Sequence, residues 1–346
     1  MKFVSYMKNS EERVGFYIKD KIYDLHDNGK AISIEIPSTM ACLLKGEDTT
    51  MDLARKIHGA IVEGKTDLIV ENRAAMLPVV PHPTSCRDAY AFRQHVATAR
   101  RNRGVEMIPE FDQYPIFYFT NHNAIFGEGD IIVEDDHLQK LDFELEVAVV
   151  IGKRGKNISS DKADSYIAGY TIMNDLSARV LQMEEMKLNL GPAKGKDFAT
   201  VIGPWLVTPD ELEKFKIETE FGDKYNLNMS AFHNGNQVSQ GNMKDMNWTF
   251  AEIIERCSYG TEIYPGDVIG SGTVGTGCYL ELNGTWTLEA KAKGEEHVPI
   301  WLKDGDTIEL QIDGLGKLSN RIVKSPESNS ILKKKKNINV SEAVKN

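Results

Sequence analysis

The first part of the chain alternates apolar and polar residues over three short stretches. The alternation runs through residues 3–6, 14–18 and 21–25. Successive side chains of a strand point to opposite faces, so this pattern predicts a small antiparallel meander. An amphipathic helix is predicted for residues 49–63, where apolar residues recur every four positions.

A proline-rich stretch follows the helix. Residues 76–83 read MLPVVPHP, with three prolines in eight residues. Proline lacks the backbone N–H that the interior of a helix or a central strand requires. We therefore predict a small β-rich N-terminal domain of residues 1–78 and a second domain of residues 79–324.

The second domain contains short apolar runs separated by turn residues. The runs include IFYF, VAVVIG, IAGYTIM and VIGPWLV, with few helical stretches between them. This pattern predicts a β-rich, mixed α+β domain. Residues 325–346 form a polar C-terminal tail with four consecutive lysines at 333–336, for which we expect loose order. The sequence has no GxxxxGK[ST] or GxGxxG phosphate loop, so nothing supports a nucleotide-dependent mechanism.

Composition and charge narrow the class of partner. The chain has 346 residues, a net charge of -10 and four scattered cysteines. The negative charge argues against nucleic acid and against an anionic membrane surface, because both attract dense lysine and arginine. The N-terminus lacks the apolar stretch of a signal peptide, and no apolar run has the length of a membrane span. We therefore expect a cytoplasmic protein with reduced thiols that acts on a small molecule.

Residues 141–152, LDFELEVAVVIG, place two carboxylates beside a buried segment. In a strand, Glu144 and Glu146 project from the same face, and the following VAVVI is apolar on both faces, as in a central strand. Burial of a charge without compensation costs several kcal/mol, roughly. A hard divalent cation supplies that compensation, because carboxylate oxygens are its preferred ligands. An exposed edge strand with two solvated glutamates is the alternative.

Two aspartates are further candidates for a cation site. Asp175 ends an apolar run in YTIMNDLSAR, and Asp88 follows the proline-rich stretch in CRDAYAFRQH. The end of a strand is a common position for a functional side chain, but aspartate at such places is also a frequent helix N-cap. Each residue alone leaves both interpretations open.

Six segments taken together resemble the fumarylacetoacetate hydrolase family. They are, in the family's order, DAYAFRQH, LDFELEVAVVIG, TIMNDLSARVLQ, GPAKGKDFATVIGPWLV, YPGDVIGSGTVG and YLELNG. The resemblance implies the family's mixed β-roll or β-sandwich catalytic domain and a homodimer. It also implies one bound Mg²⁺, Ca²⁺ or Mn²⁺. The implied metal ligands are Asp88, Glu144, Glu146 and Asp175.

The resemblance also implies a catalytic base. The family's histidine falls on His95, and the carboxylate that orients it falls on Glu281, in the alternating stretch YLELN that we predict to be a strand. Residues 96–114 depart from the family's pattern and are a candidate lid over the site. Glu106 and Glu110 in this segment are alternatives to Glu281.

Further positions match residues that stabilise charge or bind substrate in the family. Lys196 and Gln182 resemble the pair that stabilises the leaving group's negative charge, although Lys194 lies close enough to be confused with Lys196. Tyr90 and Thr273 resemble residues that hold the substrate's carboxylate. We take Arg103 as the substrate-binding arginine of the lid, and a solvated basic helix is the alternative interpretation of the lid's arginines. The arginines are Arg100, Arg101 and Arg103.

The implied reaction is hydrolysis of a carbon–carbon bond in a β-diketo acid, such as an acylpyruvate or a fumarylacetoacetate-like compound. It combines metal-enolate chemistry with water that His95 activates. Because related sites also serve other reactions, a keto-acid lyase, a decarboxylase, a sugar-acid dehydratase and an isomerase are alternatives. A non-catalytic binding protein is a hypothesis from a different class.

Overall fold

The computed structural model describes residues 1–70 and 75–336. The strands are β1 Lys2–Lys8, β2 Glu11–Ile18, β3 Lys21–Asp24, β4 Ala75–Met76, β5 Cys86–Ala89, β6 Phe117–Thr120, β7 Ile125–Phe126, β8 Gly129–Val133, β9 Leu141–Asp142, β10 Leu145–Ile151, β11 Gly155–Lys156, β12 Ile167–Asp175, β13 Ser177–Ala178, β14 Thr200–Val207, β15 Lys216–Thr219, β16 Gly222–Tyr225, β17 Asn228–His233, β18 Asn236–Asn242, β19 Glu262–Ile263, β20 Val268–Gly270, β21 Thr307–Ile312 and β22 Gly316–Lys324. The helices are α1 Leu25–Ala31, α2 Met40–Lys45, α3 Glu47–Val62, α4 Arg93–Asn102, α5 Asp135–Leu138, α6 Ser160–Ala163, α7 Arg179–Met186, α8 Phe250–Ser258 and α9 Tyr279–Ala292.

A large mixed sheet crosses the described part of the chain. Its 11 strands include the path β3-β2-β1-β14-β12-β10-β20-β5-β6, with β4 paired to β1 and β7 paired to β14. The β20–β5 and β14–β7 pairs are parallel, and the other pairs on the path are antiparallel. The predicted β-rich α+β fold class is confirmed.

The N-terminal meander and the following helix form as predicted. Strands β1, β2 and β3 pair in antiparallel order, and α3 follows them. Strand β1 also pairs with β14, where Phe3 lies opposite Leu206, so the meander extends the large sheet. The division into domains at residue 78 stays a prediction.

The central strands of the large sheet are buried on both faces. One face packs with a second sheet of order β18-β17-β21-β22-β8, and its core includes Val147, Ile172 and Leu310. The other face packs with helices α1–α3, and the core there includes Ala148 of β10, Phe16 of the meander and Ile57 of α3. This double burial explains why VAVVI in β10 is apolar at every position.

The tail is held against the domain as far as residue 336. The buried Asp136 carboxylate accepts hydrogen bonds from the Ser330 hydroxyl at 2.8 Å and from the backbone N–H of Ile331 at 2.7 Å. Lys335, one of the four consecutive lysines, forms an ion pair with Glu184 of α7. These contacts join residues 330–335 to the domain; residues 337–346 lie outside the described part, and the loose order expected for the tail as a whole stays a prediction. None of the helices in residues 1–70 and 75–336 is both long and apolar enough to cross a membrane.

Candidate active site and metal centre

Four buried carboxylates meet at the centre of the large sheet. Asp88 lies in β5, Glu144 directly precedes β10, Glu146 lies within β10, and Asp175 ends β12. The sheet order places β12, β10, β20 and β5 side by side, so segments far apart in sequence converge. One oxygen from each carboxylate lies within 4.8 Å of the others. The structure therefore brings together all four predicted metal ligands.

The cluster carries more negative charge than its surroundings neutralise. Burial and the neighbouring Asp175 raise the pKa of Asp88 to about 7. Burial and Asp88 also raise the pKa of Glu146 well above its usual value. Burial opposes the ionisation of Glu144 as well, but Lys196 and Arg179 outweigh it and hold the pKa of Glu144 at about 2. One part of the cluster is thus balanced by cations, and the part formed by Asp88 and Glu146 is not.

A tight backbone turn supports the unbalanced pair. The N–H of Gly272 donates to Asp88 Oδ1 at 3.0 Å and to Glu146 Oε2 at 3.1 Å. Gly272 has a φ of +79°, and a Cβ at Gly270 would lie 2.6 Å from Asp88 Oδ1. Side chains larger than hydrogen at residue 270 would therefore push into the carboxylates.

These residues fit a hard divalent cation. Asp175 Oδ1 is fully buried and has no hydrogen-bond partner among the described residues. An all-oxygen set of four carboxylates suits Mg²⁺, Mn²⁺ or Ca²⁺ better than Zn²⁺, which favours nitrogen and sulfur. A cation there also removes the repulsion that raises the pKa values of Asp88 and Glu146.

Lys196 is the lysine that reaches the cluster. Its Nζ donates to Asp175 Oδ2 at 2.6 Å and also to Glu144, and its side chain is buried. Lys194 instead pairs with Asp197 at 2.9 Å on the surface. The placement supports the prediction of Lys196 over Lys194.

Arg179 is a second buried cation at the site, and it was not among the predicted residues. Its guanidinium donates to Asp142 Oδ2 at 2.9 Å and to Glu144 Oε1 at 2.7 Å. It also donates to Gln182 Oε1 at 2.9 Å, which places the predicted Gln182 beside the site. The signal in the sequence was its place in TIMNDLSARVLQ, four residues after the predicted ligand Asp175.

The predicted His95–Glu281 pair is present. His95 Nδ1 lies 2.6 Å from Glu281 Oε2, and both side chains are buried. A ring nitrogen of His95 lies within 4.8 Å of an oxygen of Glu144, so the pair adjoins the carboxylate cluster. The alternative partners Glu106 and Glu110 are exposed.

The predicted strand at YLELN is wrong, because Glu281 lies in the first turn of helix α9. The alternation over five residues was too short to identify a strand. Asp142 Oδ1 accepts from the N–H of Tyr279 at 2.7 Å, and Oδ2 accepts from the N–H of Leu280 at 2.9 Å. A carboxylate from a distant segment thus satisfies the first free N–H groups of α9, which local sequence does not reveal.

The predicted substrate-binding residues lie at different distances from the cluster. The rings of Tyr90 and His95 are edge to face, with centroids 6.1 Å apart. Thr273 Oγ1 lies 3.5 Å from Glu146 Oε1 and is buried. Arg103 directly follows α4 and is exposed, and its Nε donates to the carbonyl of Ala99 in that helix at 3.1 Å. Tyr90 and Thr273 therefore adjoin the site, whereas the hydrogen bond that Arg103 donates goes to Ala99 and not to the cluster.

Two more side chains beside the cluster were not predicted. The Tyr118 hydroxyl of β6 donates to Asp175 Oδ2 at 2.5 Å. Cys278 precedes α9, and its sulfur lies within 4.8 Å of a Glu144 oxygen and of a His95 ring nitrogen. Neither the tyrosine of IFYF nor the isolated cysteine had a spacing that indicated a site.

The chain belongs to the fumarylacetoacetate hydrolase family. Residues 84–323 match the model of the fumarylacetoacetate (FAA) hydrolase C-terminal domain. The chain is 31% identical over 329 residues to the fumarylacetoacetate hydrolase domain-containing protein 2 homolog of Dictyostelium discoideum, covering 93% of this chain and 97% of that protein. It is 29% identical over 301 residues to a mitochondrial oxaloacetate tautomerase of Homo sapiens, covering 86% of this chain and 83% of that protein.

Solved structures share the fold. The crystal structure of maleylpyruvate hydrolase from Sphingobium sp. SYK-6 matches with a TM-score of 0.65 and 19% identity, covering 94% of this chain and all of that one (100%). Fumarylpyruvate hydrolase from Pseudomonas aeruginosa, in complex with Mn²⁺ and pyruvate, matches with a TM-score of 0.55 and 19% identity, covering 74% of this chain and 94% of that one. These likenesses confirm the predicted fold, and the family match and the relatives confirm the predicted family.

Proposed function

We propose that this chain is a divalent-cation-dependent hydrolase that cleaves the carbon–carbon bond of a small 2,4-dioxo acid of the acylpyruvate type. The observation that carries the proposal is the buried His95–Glu281 pair, with a His95 ring nitrogen within 4.8 Å of the carboxylate cluster. Activation of water beside a cation site requires a base and a carboxylate that orients this base.

The four carboxylates would hold Mg²⁺, Mn²⁺ or Ca²⁺. When bound, the cation supplies Lewis-acid polarisation of the substrate's carbonyl oxygens. The Mn²⁺ and pyruvate in the fumarylpyruvate hydrolase neighbour support this class of ligand and product. The all-oxygen donor set and the unbalanced charge of Asp88 and Glu146 support it independently.

His95 has the position of a general base. Glu281 accepts a hydrogen bond from Nδ1, so Nδ1 carries the imidazole proton and Nε2 is free to take a proton from water. Water oxygen then adds to the C4 carbonyl carbon of the dioxo acid. The negative charge of Glu281 stabilises the imidazolium that forms.

Cleavage of the C3–C4 bond leaves its electron pair on the three-carbon fragment as an enolate. Lys196, Arg179 and Gln182 form a connected group of polar side chains beside the cluster. The positive charges of Lys196 and Arg179, together with the amide N–H donors of Gln182, stabilise negative charge on the departing fragment. The imidazolium of His95 returns the proton taken from water to C3 of the enolate, which yields pyruvate, and the other product is a carboxylic acid.

A second candidate is tautomerisation of oxaloacetate between its enol and keto forms. The tautomerase name of the human relative favours it. The reaction needs a base that moves one proton between C3 and the enol oxygen, and His95 has the position for that step as well. Water addition and bond cleavage are then absent.

A substrate comparison tests the proposal. Chelator-stripped protein, with Mg²⁺, Mn²⁺ or Ca²⁺ restored, is assayed for pyruvate release from acylpyruvates and for loss of enol-oxaloacetate absorbance. We expect metal-dependent pyruvate release, with His95→Ala lowering kcat by about 10²- to 10⁴-fold while Mn²⁺ binding stays within about threefold. His122→Ala, at an exposed histidine, is the matched control.

The results separate the candidates. Oxaloacetate tautomerisation without acylpyruvate cleavage would replace the hydrolase by the second candidate. Full activity of His95→Ala in both assays would overturn both mechanisms. Lys196→Ala should lower kcat strongly and the neighbouring surface variant Lys194→Ala should not, because only Lys196 contacts the cluster.

A cytoplasmic location and a homodimer complete the proposal. The four cysteines, all free, support a reducing compartment, and the dimer is what membership of the family leads us to expect. Sedimentation of the full chain tests the dimer. The location of a tagged chain in cell fractions tests the compartment, and the mitochondrial name of the human relative makes the mitochondrion the alternative.

A further inference from the structure

We propose that His95, Cys278 and Glu144 form a second cation site, softer than the carboxylate cluster, that binds Zn²⁺ and thereby removes the catalytic base from use. One possible ligand atom from each of the three residues lies within 4.8 Å of the other two. All three side chains are buried. The site stands on this geometry and not on the identity of the keto acid.

The donor atoms distinguish this site from its neighbour. The carboxylate cluster offers oxygen alone, whereas the second set offers an imidazole nitrogen, a thiol sulfur and one carboxylate oxygen. Zinc prefers nitrogen and sulfur ligands in tetrahedral geometry, while magnesium and calcium prefer oxygen. The carboxylate cluster should therefore prefer hard cations, and the adjacent second set should prefer softer ones.

The spacing is close to that of a bound ion. Zinc bonds of roughly 2.0 to 2.3 Å place tetrahedral ligands about 3.5 Å apart. Because the atoms lie within 4.8 Å of one another, they need to close by at most roughly 1.3 Å, which side-chain torsions can supply. A water molecule completes the fourth position.

His95 is already oriented as a metal ligand. Glu281 lies 2.6 Å from His95 Nδ1, which leaves Nε2 as the available nitrogen. A carboxylate that accepts from the other ring nitrogen is the usual support of a zinc-bound histidine. The same contact that prepares His95 to accept a proton thus prepares it to bind zinc.

The two sets of ligands share Glu144, and this determines how zinc should affect activity. Glu144 belongs to both sets, so zinc at the second site lies next to the hard cation. Zinc on Nε2 blocks proton transfer even when the carboxylate cluster holds Mg²⁺. Inhibition by Zn²⁺ should therefore persist in excess Mg²⁺.

Cobalt spectroscopy tests the thiol ligand directly. The full chain, saturated with Mg²⁺, is titrated with Co²⁺ as a spectroscopic substitute for zinc. We expect a near-ultraviolet thiolate-to-cobalt charge-transfer band that is absent in Cys278→Ser and Cys278→Ala and kept in Cys42→Ser. Cys42 is an exposed free cysteine and serves as the matched control. Absence of the band in the unmodified chain, or its persistence in folded Cys278 variants, would overturn the proposal.

Zinc affinity gives a second measurement that needs no turnover. In competition with a chromophoric chelator, Cys278→Ser and His95→Asn should each weaken Zn²⁺ binding at least tenfold, with Mn²⁺ affinity changed less than threefold. Equal zinc affinity in both folded variants would overturn the site. Failure of the hydrolase proposal leaves these binding results unaffected, because neither measurement uses a substrate.

An activity assay tests the functional consequence. Half-inhibition of the unmodified chain should require at least tenfold less Zn²⁺ than half-inhibition of Cys278→Ser, each relative to its own activity without zinc. Relief of inhibition by excess Mg²⁺ would instead place zinc in the carboxylate cluster and overturn the blocking role.

Discussion

The two faces of strand β5 bury charge in opposite ways. On one face, Arg87 approaches Asp267 at 3.2 Å, and the same carboxylate accepts from Thr84 Oγ1 at 2.6 Å, Ser85 Oγ at 2.7 Å and the N–H of Tyr264 at 3.0 Å. Each lone-pair direction of the Asp267 carboxylate accepts a hydrogen bond, and the positive charge of Arg87 balances its negative charge. This face holds the strand in place.

The other face presents Asp88 to Glu146. Asp88 is 3% exposed and Asp267 is 2% exposed, so burial alone does not separate them. Asp88 has another carboxylate beside it and shares the single N–H of Gly272 with Glu146. A buried carboxylate with a full set of donors stabilises the fold, and carboxylates that outnumber their donors indicate a cation site.

The largest test removes one of the surplus carboxylates. Glu146→Gln should weaken Mn²⁺ binding and lower turnover by more than about 100-fold, because the Lewis acid is worth several kcal/mol in such sites. The free energy of unfolding of the metal-free protein should stay equal or rise, since the change removes repulsion with Asp88. Calorimetric Mn²⁺ titration and urea unfolding measure the two effects. Unchanged Mn²⁺ affinity would remove Glu146 from the site.

The matched variant on the opposite face of β5 should lower stability and leave metal binding nearly unchanged, which is the reverse of the result expected for Glu146→Gln. Asp267→Asn leaves the buried Arg87 without its partner and should lower the free energy of unfolding by about 3 kcal/mol. Mn²⁺ affinity should change less than threefold. Urea unfolding at constant metal concentration measures the first quantity. If Asp267→Asn were as stable as the unmodified chain, the distinction between the two faces would fail.

The smallest expected effect is a pH dependence on the Asp88 face. The folded pKa of Asp88, about 7, lies above the unfolded value, so its contribution to metal-free stability is greatest at low pH and declines as pH rises toward 7. A bound cation reverses this penalty on ionisation. The rise in Tm on addition of Mn²⁺ should therefore be larger at pH 8 than at pH 6. An equal rise at both values would contradict the raised pKa.

The helix at Glu281 marks where local pattern stops being informative. YLELN alternates like a strand, yet Asp142, more than a hundred residues earlier in the chain, caps the N–H groups of Tyr279 and Leu280 and allows α9 to begin there. Arg179 was not predicted for a related reason, because its role is to bind both Asp142 and Glu144, which belong to other segments. Tertiary contacts determine such partners, so the partners produce no periodic pattern of residues in the sequence.

The sequence by itself determined the β-rich fold class, the N-terminal meander and the helix after it, because the hydrophobic period that reports a strand or a helix is a local property. The family resemblance in its quoted segments also identified the four acidic positions. Only the tertiary structure decided that these carboxylates share one buried site, that Lys196 and not Lys194 reaches it, and that His95 pairs with Glu281. The reason is physical: electrostatic balance depends on distances between segments that the chain order does not specify.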